Sequence, residues 1–389
     1  MPDSMRSFPT LALRRLRLVS PGVAAVTLML SGAAVAAQAP DAQSQPSTQP
    51  STQPSAQLSA RSQPPLPRIT PVVSGVSPLL QAVHAAGDSV LWAAGHRGVV
   101  LRSRDAGRSW ERLNTPSGDS LEYRDVHGFG ADTAFILSAG AGSKSRIYRT
   151  VNGGRDWALQ FVNRDTAAFY DCFSFSSAQQ GVAFSDASNG RSNILHTSNG
   201  GARWALRDAQ QVPAPLEGEG AFAASGQCVA HASANHVFIT TGSPGARLLS
   251  SRDGGLTWRV DSTPFVRGAV AGMTGITFAT PQRAVAVAAD INALRTDTSS
   301  RVIGVTEDGG VSWRLLPRPT QPGALVSAAW VPANGDRIMV VASYGGASYS
   351  TDAGQSWTRI TDQVTTSVAT IGRTAVLVGG SGRIWRIEF

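Results

Sequence analysis

The chain has 389 residues, of which 42% are apolar and 15% charged, with 40 glycines and 22 prolines. It is too apolar to be disordered throughout and too rich in turn-forming residues to be a helical bundle or coiled coil, so an all-β chain with many turns is expected. The formal net charge is +8, yet Lys144 is the only lysine and no Lys/Arg run follows residue 17, which gives no basis for a nucleic-acid partner.

Residues 1–39 read as a signal peptide. Arg14, Arg15 and Arg17 form a basic front, residues 21–37 a short apolar stretch, and Ala34-Val35-Ala36 and Ala37-Gln38-Ala39 both fit a small-x-small cleavage site. Export to the periplasm or the cell exterior is expected; the alternative is an uncleaved signal that tethers the protein to the membrane. No cysteine follows the apolar stretch, which argues against a lipoprotein. Residues 40–67 are almost entirely Gln, Ser, Pro, Ala and Thr, and read as a disordered linker.

From residue 68 onward the chain repeats. ITPVVSGV (69–76) reads as a lone strand. LLQAV (79–83), SVLWAAG (89–95) and GVVLRS (98–103) read as three more, and WERL (110–113) as a fourth after an octapeptide. That octapeptide, Ser/Thr-x-Asp/Asn-x-Gly-x-x-Trp, recurs six times: SRDAGRSW (103–110), TVNGGRDW (150–157), TSNGGARW (197–204), SRDGGLTW (251–258), TEDGGVSW (306–313) and STDAGQSW (350–357). Its tryptophans are spaced by 47, 47, 54, 55 and 44 residues. The chemistry is that of a tight turn between strands. The acidic or amide residue (Asp105, Asn152, Asn199, Asp253, Asp308, Asp352) accepts backbone N–H groups two and three residues on. The glycine (Gly107, Gly154, Gly201, Gly255, Gly310, Gly354) takes a positive φ. The tryptophan (Trp110, Trp157, Trp204, Trp258, Trp313, Trp357) opens the next strand and packs back under the turn.

This octapeptide resembles the Asp-box, or bacterial neuraminidase repeat, which in the families that carry it joins the third and fourth strands of a β-propeller blade. Six boxes imply six blades. Residues 364–389 supply three further strands, and 69–76 can be the fourth, so the resemblance implies a single seven-bladed β-propeller of four-stranded blades over 68–389, closed by the N-terminal strand. The whole of 68–389 is similar to propellers of the photosystem II stability/assembly factor type and their bacterial relatives with WD40/YVTN/BNR-like repeats. AFYDCFSF (168–175), GVAFSDASNGR (181–191) and EGEGAFAASGQC (217–228) look like segments of an exported bacterial group within that family.

The resemblance implies a non-catalytic binding scaffold or assembly factor for a protein or an envelope complex, expected to be a monomer. The alternative is a glycan-binding or glycoside-hydrolysing, sialidase-like propeller. Against it, the first-blade Arg-Ile-Pro motif of sialidases has only Arg68-Ile69-Thr70-Pro71 as its nearest counterpart here. An oxidoreductase label, loosely used in the group, is a remote third reading, and no Gly-x-Gly-x-x-Gly follows a strand to support it. No cofactor is expected.

Carboxylates near predicted ends of inner strands are Asp171, Asp186, Glu217, Glu219 and Asp290. A candidate ligand or partner site is expected where Arg124 and His127 (blade two), Tyr170, Asp171 and Asp186 (blade three) and Glu217 and Glu219 (blade four) gather at one mouth of the channel, with a solvated rim of local ion pairs as the competing reading. Arg97 and Tyr344 are further candidate anchors. Cys172 and Cys228 fall on adjacent blades, and two states are open to them: a disulfide, which export permits, or two buried thiols. His231 and His236 lack zinc-type spacing with either cysteine, and no metal site is expected.

Overall fold

The computed structural model describes residues 66–116, 118–332 and 337–389. The signal peptide expected over 1–39, and all but the last two residues of the linker expected over 40–67, lie outside them. The described residues form twenty-eight strands in seven four-stranded antiparallel sheets, and their only helices are four 3-10 turns. The sheets are the blades of a seven-bladed propeller: blade 1 (80–112), blade 2 (123–162), blade 3 (170–206), blade 4 (229–262), blade 5 (271–315), blade 6 (325–361) and blade 7 (365–388 with Arg68–Val72).

The first strand of each blade packs against the first strands of its neighbours and lines the axis. Second strands such as Ala284–Asp290 (AVAVAAD) and Ile338–Ser343 (IMVVAS) are almost wholly buried. They therefore read as continuous runs of small and apolar residues rather than as an alternation. Fourth strands such as Glu111–Arg112 and Ala205–Leu206 are short and exposed. The core is divided by the ring into seven apolar clusters, one at each seam between adjacent blades.

Each octapeptide joins the third and fourth strands of blades 1 to 6, and all six share one hydrogen-bond pattern. The leading Ser or Thr hydroxyl donates to the Asp or Asn side chain (Ser251 Oγ to Asp253 Oδ1, 2.7 Å) and accepts the N–H of the turn glycine (Gly255, 2.8 Å). The Asp or Asn side chain accepts the N–H four residues on in all six, and Asp253, Asp308 and Asp352 also accept the N–H three residues on, as Asp253 does from Thr257 at 2.9 Å and Leu256 at 3.0 Å. That is one residue further than the sequence suggested, because the leading hydroxyl occupies the inside of the turn. The residue before the glycine points its N–H at a carbonyl in the turn between the first two strands of its own blade: Ala106 to Ser89, Gly153 to Asp132, Gly200 to Gln179, Gly254 to Asn235, Gly309 to Gln282 and Ala353 to Arg337, all at 2.8–2.9 Å.

Trp258 packs back under its own turn, its indole N–H donating to the Gly255 carbonyl at 3.1 Å, and the rings of Trp204 and Trp357 likewise lie beside their own turn glycines, Gly201 and Gly354. The indoles also reach the preceding blade: Trp258 is buried in the cluster between blades 3 and 4, and the other five are half-buried against the cluster shared with the blade before, Trp110 between blades 7 and 1, Trp157 between 1 and 2, Trp204 between 2 and 3, Trp313 between 4 and 5, and Trp357 between 5 and 6. The turn glycine lies against the same neighbour. A Cβ on Gly255 would stand 2.6 Å from Val182 of blade 3, so the position needs glycine for space as well as for its φ of +95°.

Blade 7 closes the ring as expected. Arg68–Val72 pairs antiparallel with Ile384–Glu388, from Arg68 opposite Glu388 to Val72 opposite Ile384. The pairing strand is shorter than the 69–76 segment read from the sequence. Of the two states open to the cysteines, the structure has the disulfide: Cys172 and Cys228 are bridged across the seam between blades 3 and 4, with Cα atoms 6.0 Å apart.

Two octapeptides carry alanine where the other four carry glycine, and both alanines sit in left-handed backbone, Ala106 at φ +56° and Ala353 at φ +60°. Replacing each by glycine removes a Cβ clash and is expected to stabilise the protein by up to about 1 kcal/mol per site. Thermal melts of Ala106→Gly and Ala353→Gly check this, and a lowered midpoint in both would refute it. Deleting residues 68–72 should lower the melting temperature sharply, since blade 7 then presents an unpaired edge.

Candidate functional site

The ring presents two mouths. At one, the loop mouth, the first strands begin; at the other, the hairpin mouth, they end in tight turns and the octapeptides stand further out. Arg124, Asp171, Asp186, Glu217 and Glu219 belong to the loop mouth. His127 does not. It is the fifth residue of Tyr123–Phe129, three residues beyond Arg124, and at about 3.3 Å per residue this carries it roughly 10 Å toward the hairpin mouth. Tyr170 is also misplaced by the sequence reading. It is 4% exposed and packs in the blade 2–3 seam with its ring 5.1 Å from Phe161, so it is core rather than an anchor.

All but one of the carboxylates predicted for the loop mouth are held by the protein itself, the exception being Glu217. Glu219 is 2% exposed and chelated by Arg247: Nε donates to Oε1 at 2.8 Å and Nη2 to Oε2, which also accepts the Leu216 N–H at 3.0 Å. Asp290 accepts the Asn292 N–H at 2.9 Å and so caps a 3-10 turn. Glu217 is exposed on the loop. Asp171 and Asp186 press against each other. Burial, and then the charge of Asp186, push Asp171 well above the ordinary carboxylate range, and burial pushes Asp186 up to about 6. Asp171 Oδ2 is buried without a hydrogen-bond partner. A proton held between the two carboxyls supplies what both need, because ionised carboxylates only accept hydrogen bonds. Arg124 stands nearby and donates to Glu122 Oε2 at 2.6 Å. Glu122 in turn faces His96 at 3.7 Å, and His96 Nε2 lies 3.1 Å from Gln81 Oε1. Tyr344, from blade 6, hydrogen-bonds to the same Gln81. Arg97 is on an exposed turn, 3.5 Å from Asp119.

The sequence reading missed what closes this mouth. Residues 222–227, just before the first strand of blade 4, run across the channel. Gln81 of blade 1 donates to the Ala224 carbonyl, Ser367 of blade 7 to the Ser225 carbonyl at 3.0 Å, and Ile276 of blade 5 to the Gln227 carbonyl at 3.0 Å. Gln227 bridges further, donating to Val368 at 3.2 Å and accepting the Ala328 N–H at 3.2 Å. Phe222 and Ala224 pack with Ala289, Val326 and Tyr344 in an eighth apolar cluster. A Cβ on Gly226 would meet Asp125 Oδ1 at 2.4 Å, so the crossing strand approaches blade 2 only because that residue is glycine. The available signals were the 54-residue spacing between Trp204 and Trp258 and the small residues of AFAASG.

With this plug in place the channel is a blind pocket of about 390 Å³, open at the hairpin mouth. Its floor is the Gly226–Gln227 backbone, and its walls include His84, His127, His231, Phe175 and Phe278. His84 and His127 stack with ring centroids 4.0 Å apart, and His127 continues to Phe175 at 5.5 Å. Burial lowers His84 and His231 to about 4 and His127 well below 6.5, so all three are neutral at pH 7. Asp125 accepts the Val126 and Phe173 N–H groups at 2.7 and 2.8 Å, and burial pushes its pKa well up. Among the described residues no three His, Cys, Asp or Glu side chains converge to hold a metal ion.

No sequence-family model matches this chain, and neither does any curated protein. Solved structures do. YCF48 bound to a D1 peptide is 13% identical with a TM-score of 0.60, over 84% of this chain and 98% of that one. YCF48 from Cyanidioschyzon merolae is 16% identical with a TM-score of 0.56, over 82% and 98%. The GH74 xyloglucanase from Xanthomonas campestris is 14% identical with a TM-score of 0.57, over 82% of this chain and 53% of that one. At these identities the likeness is one of fold.

The Asp171–Asp186 pair makes stability depend on pH in a defined direction. A carboxyl whose folded pKa is raised stabilises the fold fully below its unfolded pKa of about 4, and that contribution is lost as pH rises through about 6. Asp186→Asn keeps a hydrogen bond and removes one charge. The melting temperature of the variant minus that of the wild type should therefore grow as pH rises from about 5 to 8; a constant difference would refute the shared proton.

Proposed function

We propose that the chain is an exported, non-catalytic binding propeller that presents its loop mouth to a polypeptide partner. The observation that carries this reading is the state of the loop-mouth carboxylates. A glycosidase needs one carboxyl free to protonate the leaving group and a second free to attack or to activate water, both facing substrate. Here Glu219 is chelated by Arg247, Asp290 caps a turn, and Asp171 and Asp186 are buried against each other, which leaves exposed Glu217 without a second free carboxylate among these five to pair with it. The surface that remains is a rigid rim with Arg97 exposed and Arg124 half-buried, tied to it by local ion pairs. Arginine on such a rim suits backbone carbonyls and carboxylates of a peptide. The similarity to YCF48 bound to a D1 peptide supports a polypeptide ligand; the GH74 neighbours keep glycan cleavage as the competing outcome.

The test is affinity capture from the envelope fraction with wild-type protein and with an Arg97→Ala/Arg124→Ala variant, beside an assay of the wild type on xyloglucan and chromogenic glycosides. The reading expects a polypeptide retained by the wild type and lost from the variant, with no turnover. Glycoside turnover that disappears in Asp171→Asn would replace it with the hydrolase.

A further inference from the structure

The blind pocket at the hairpin mouth has a chemistry that the loop mouth does not share. No lysine or arginine lines it, so an anionic ligand would find no counter-charge. Its one acid, Asp125, is 3% exposed and already occupied by two backbone N–H groups, so it offers nothing to a cation. What remains is aromatic surface, imidazole nitrogen and neutral polar groups, among them the hydroxyls of Ser174, Ser225, Thr277 and Thr370. His84, His127 and Phe175 form a run of ring contacts along one wall, tilted by 32° and 57° from one to the next, and Phe278 also lines the pocket.

The nitrogens have assignable roles. His84 Nδ1 accepts the Gly128 N–H at 3.2 Å, which leaves the proton on Nε2 and makes that atom a donor. His231 Nδ1 lies 3.1 Å from Ser174 Oγ, and its other nitrogen is uncommitted. Neither nitrogen of His127 has a hydrogen-bond partner among the described residues, although the ring is half-buried and lines the pocket. A half-buried ring with two unused nitrogens is completed by a ligand or by water.

We propose that this pocket binds an uncharged aromatic ring bearing a hydroxyl, that is, a phenol. The ring lies against the wall of His84, His127 and Phe175, and the hydroxyl donates to, or accepts from, the imidazole of His127. Flat rings stack on such walls, and a neutral hydroxyl meets donor and acceptor at once without the cost of burying a charge. The volume of about 390 Å³ suits either a small free phenol or a tyrosine side chain presented at a chain end. This inference stands on the pocket alone and does not depend on the partner of the loop mouth.

The probes are p-cresol, toluene, benzoate and N-acetyl-tyrosinamide, titrated into the full propeller and followed by calorimetry. The proposal expects saturable binding of p-cresol, weaker binding of toluene by about tenfold for the lost hydrogen bond, and none of benzoate. His127→Leu should remove the difference between p-cresol and toluene while leaving the melting temperature high. Ala230→Phe, which fills the pocket, should abolish both. Binding of N-acetyl-tyrosinamide in addition assigns the site to a polypeptide side chain, and its absence beside p-cresol binding assigns it to a free phenol. The proposal is overturned if p-cresol does not bind, if benzoate binds equally, or if neither variant changes p-cresol binding.

Discussion

The structure depends on one contact repeated around a ring: an indole from one blade inserted into the apolar seam it shares with the blade before it. Six of the seven seams receive such a tryptophan from an octapeptide turn. The seventh, between blades 6 and 7, is filled by Trp385 and Tyr349 instead. Blade 7 has no octapeptide because its third and fourth strands are opposite ends of the chain. Burying a tryptophan removes about 150–250 Å² from water, a gross gain of about 4–6 kcal/mol before entropy is counted. The short hydrogen-bonded turn holds each indole in place: the Ser/Thr hydroxyl and the acidic side chain fix the loop, and the glycine lets it approach the neighbouring blade.

A ring closed in this way positions everything else. The first strands are aligned around the axis, so the residues at their beginnings meet at one mouth and those at their ends at the other. The plug at 222–227 then divides the channel. It is held to blades 1, 6 and 7 through the side chains of Gln81, Gln227 and Ser367, and to blade 5 through the backbone N–H of Ile276. The Cys172–Cys228 disulfide ties the chain immediately after the plug to blade 3. One mouth thus carries charged groups already neutralised by the protein, and the other a pocket of neutral imidazoles and rings.

The fold was legible because the repeat is local. Eight residues contain all the side chains that build each turn, so blade number and the closing strand followed from counting. The site was less legible, because a repeat assigns a residue to a blade but not to an end of its strand. Arg124 and His127 lie in one strand three residues apart, yet they face different mouths. Tyr170 and Asp171 are consecutive, yet the pairing register shifts at Asp171, and one packs in a seam while the other lies beside Asp186. The plug was hidden for another reason. Most of its hydrogen bonds to other blades join residues more than a hundred positions apart, such as Gln81 to Ala224 and Gln227 to Val368. Only the extra length before blade 4 hinted at it. The octapeptide Asp and Asn side chains bond one residue further along than the sequence suggested, because the leading Ser/Thr hydroxyl, which the sequence reading gave no role, takes the turn glycine's N–H.

The most direct measurement on this account is equilibrium unfolding of Trp258→Ala, the most buried of the six octapeptide tryptophans, at 8% exposed. The account predicts a loss of about 3–5 kcal/mol, the cost of deleting a large aromatic side chain from a packed seam. A variant as stable as the wild type would show that the seams are held by something other than these indoles, and would contradict the account at its base.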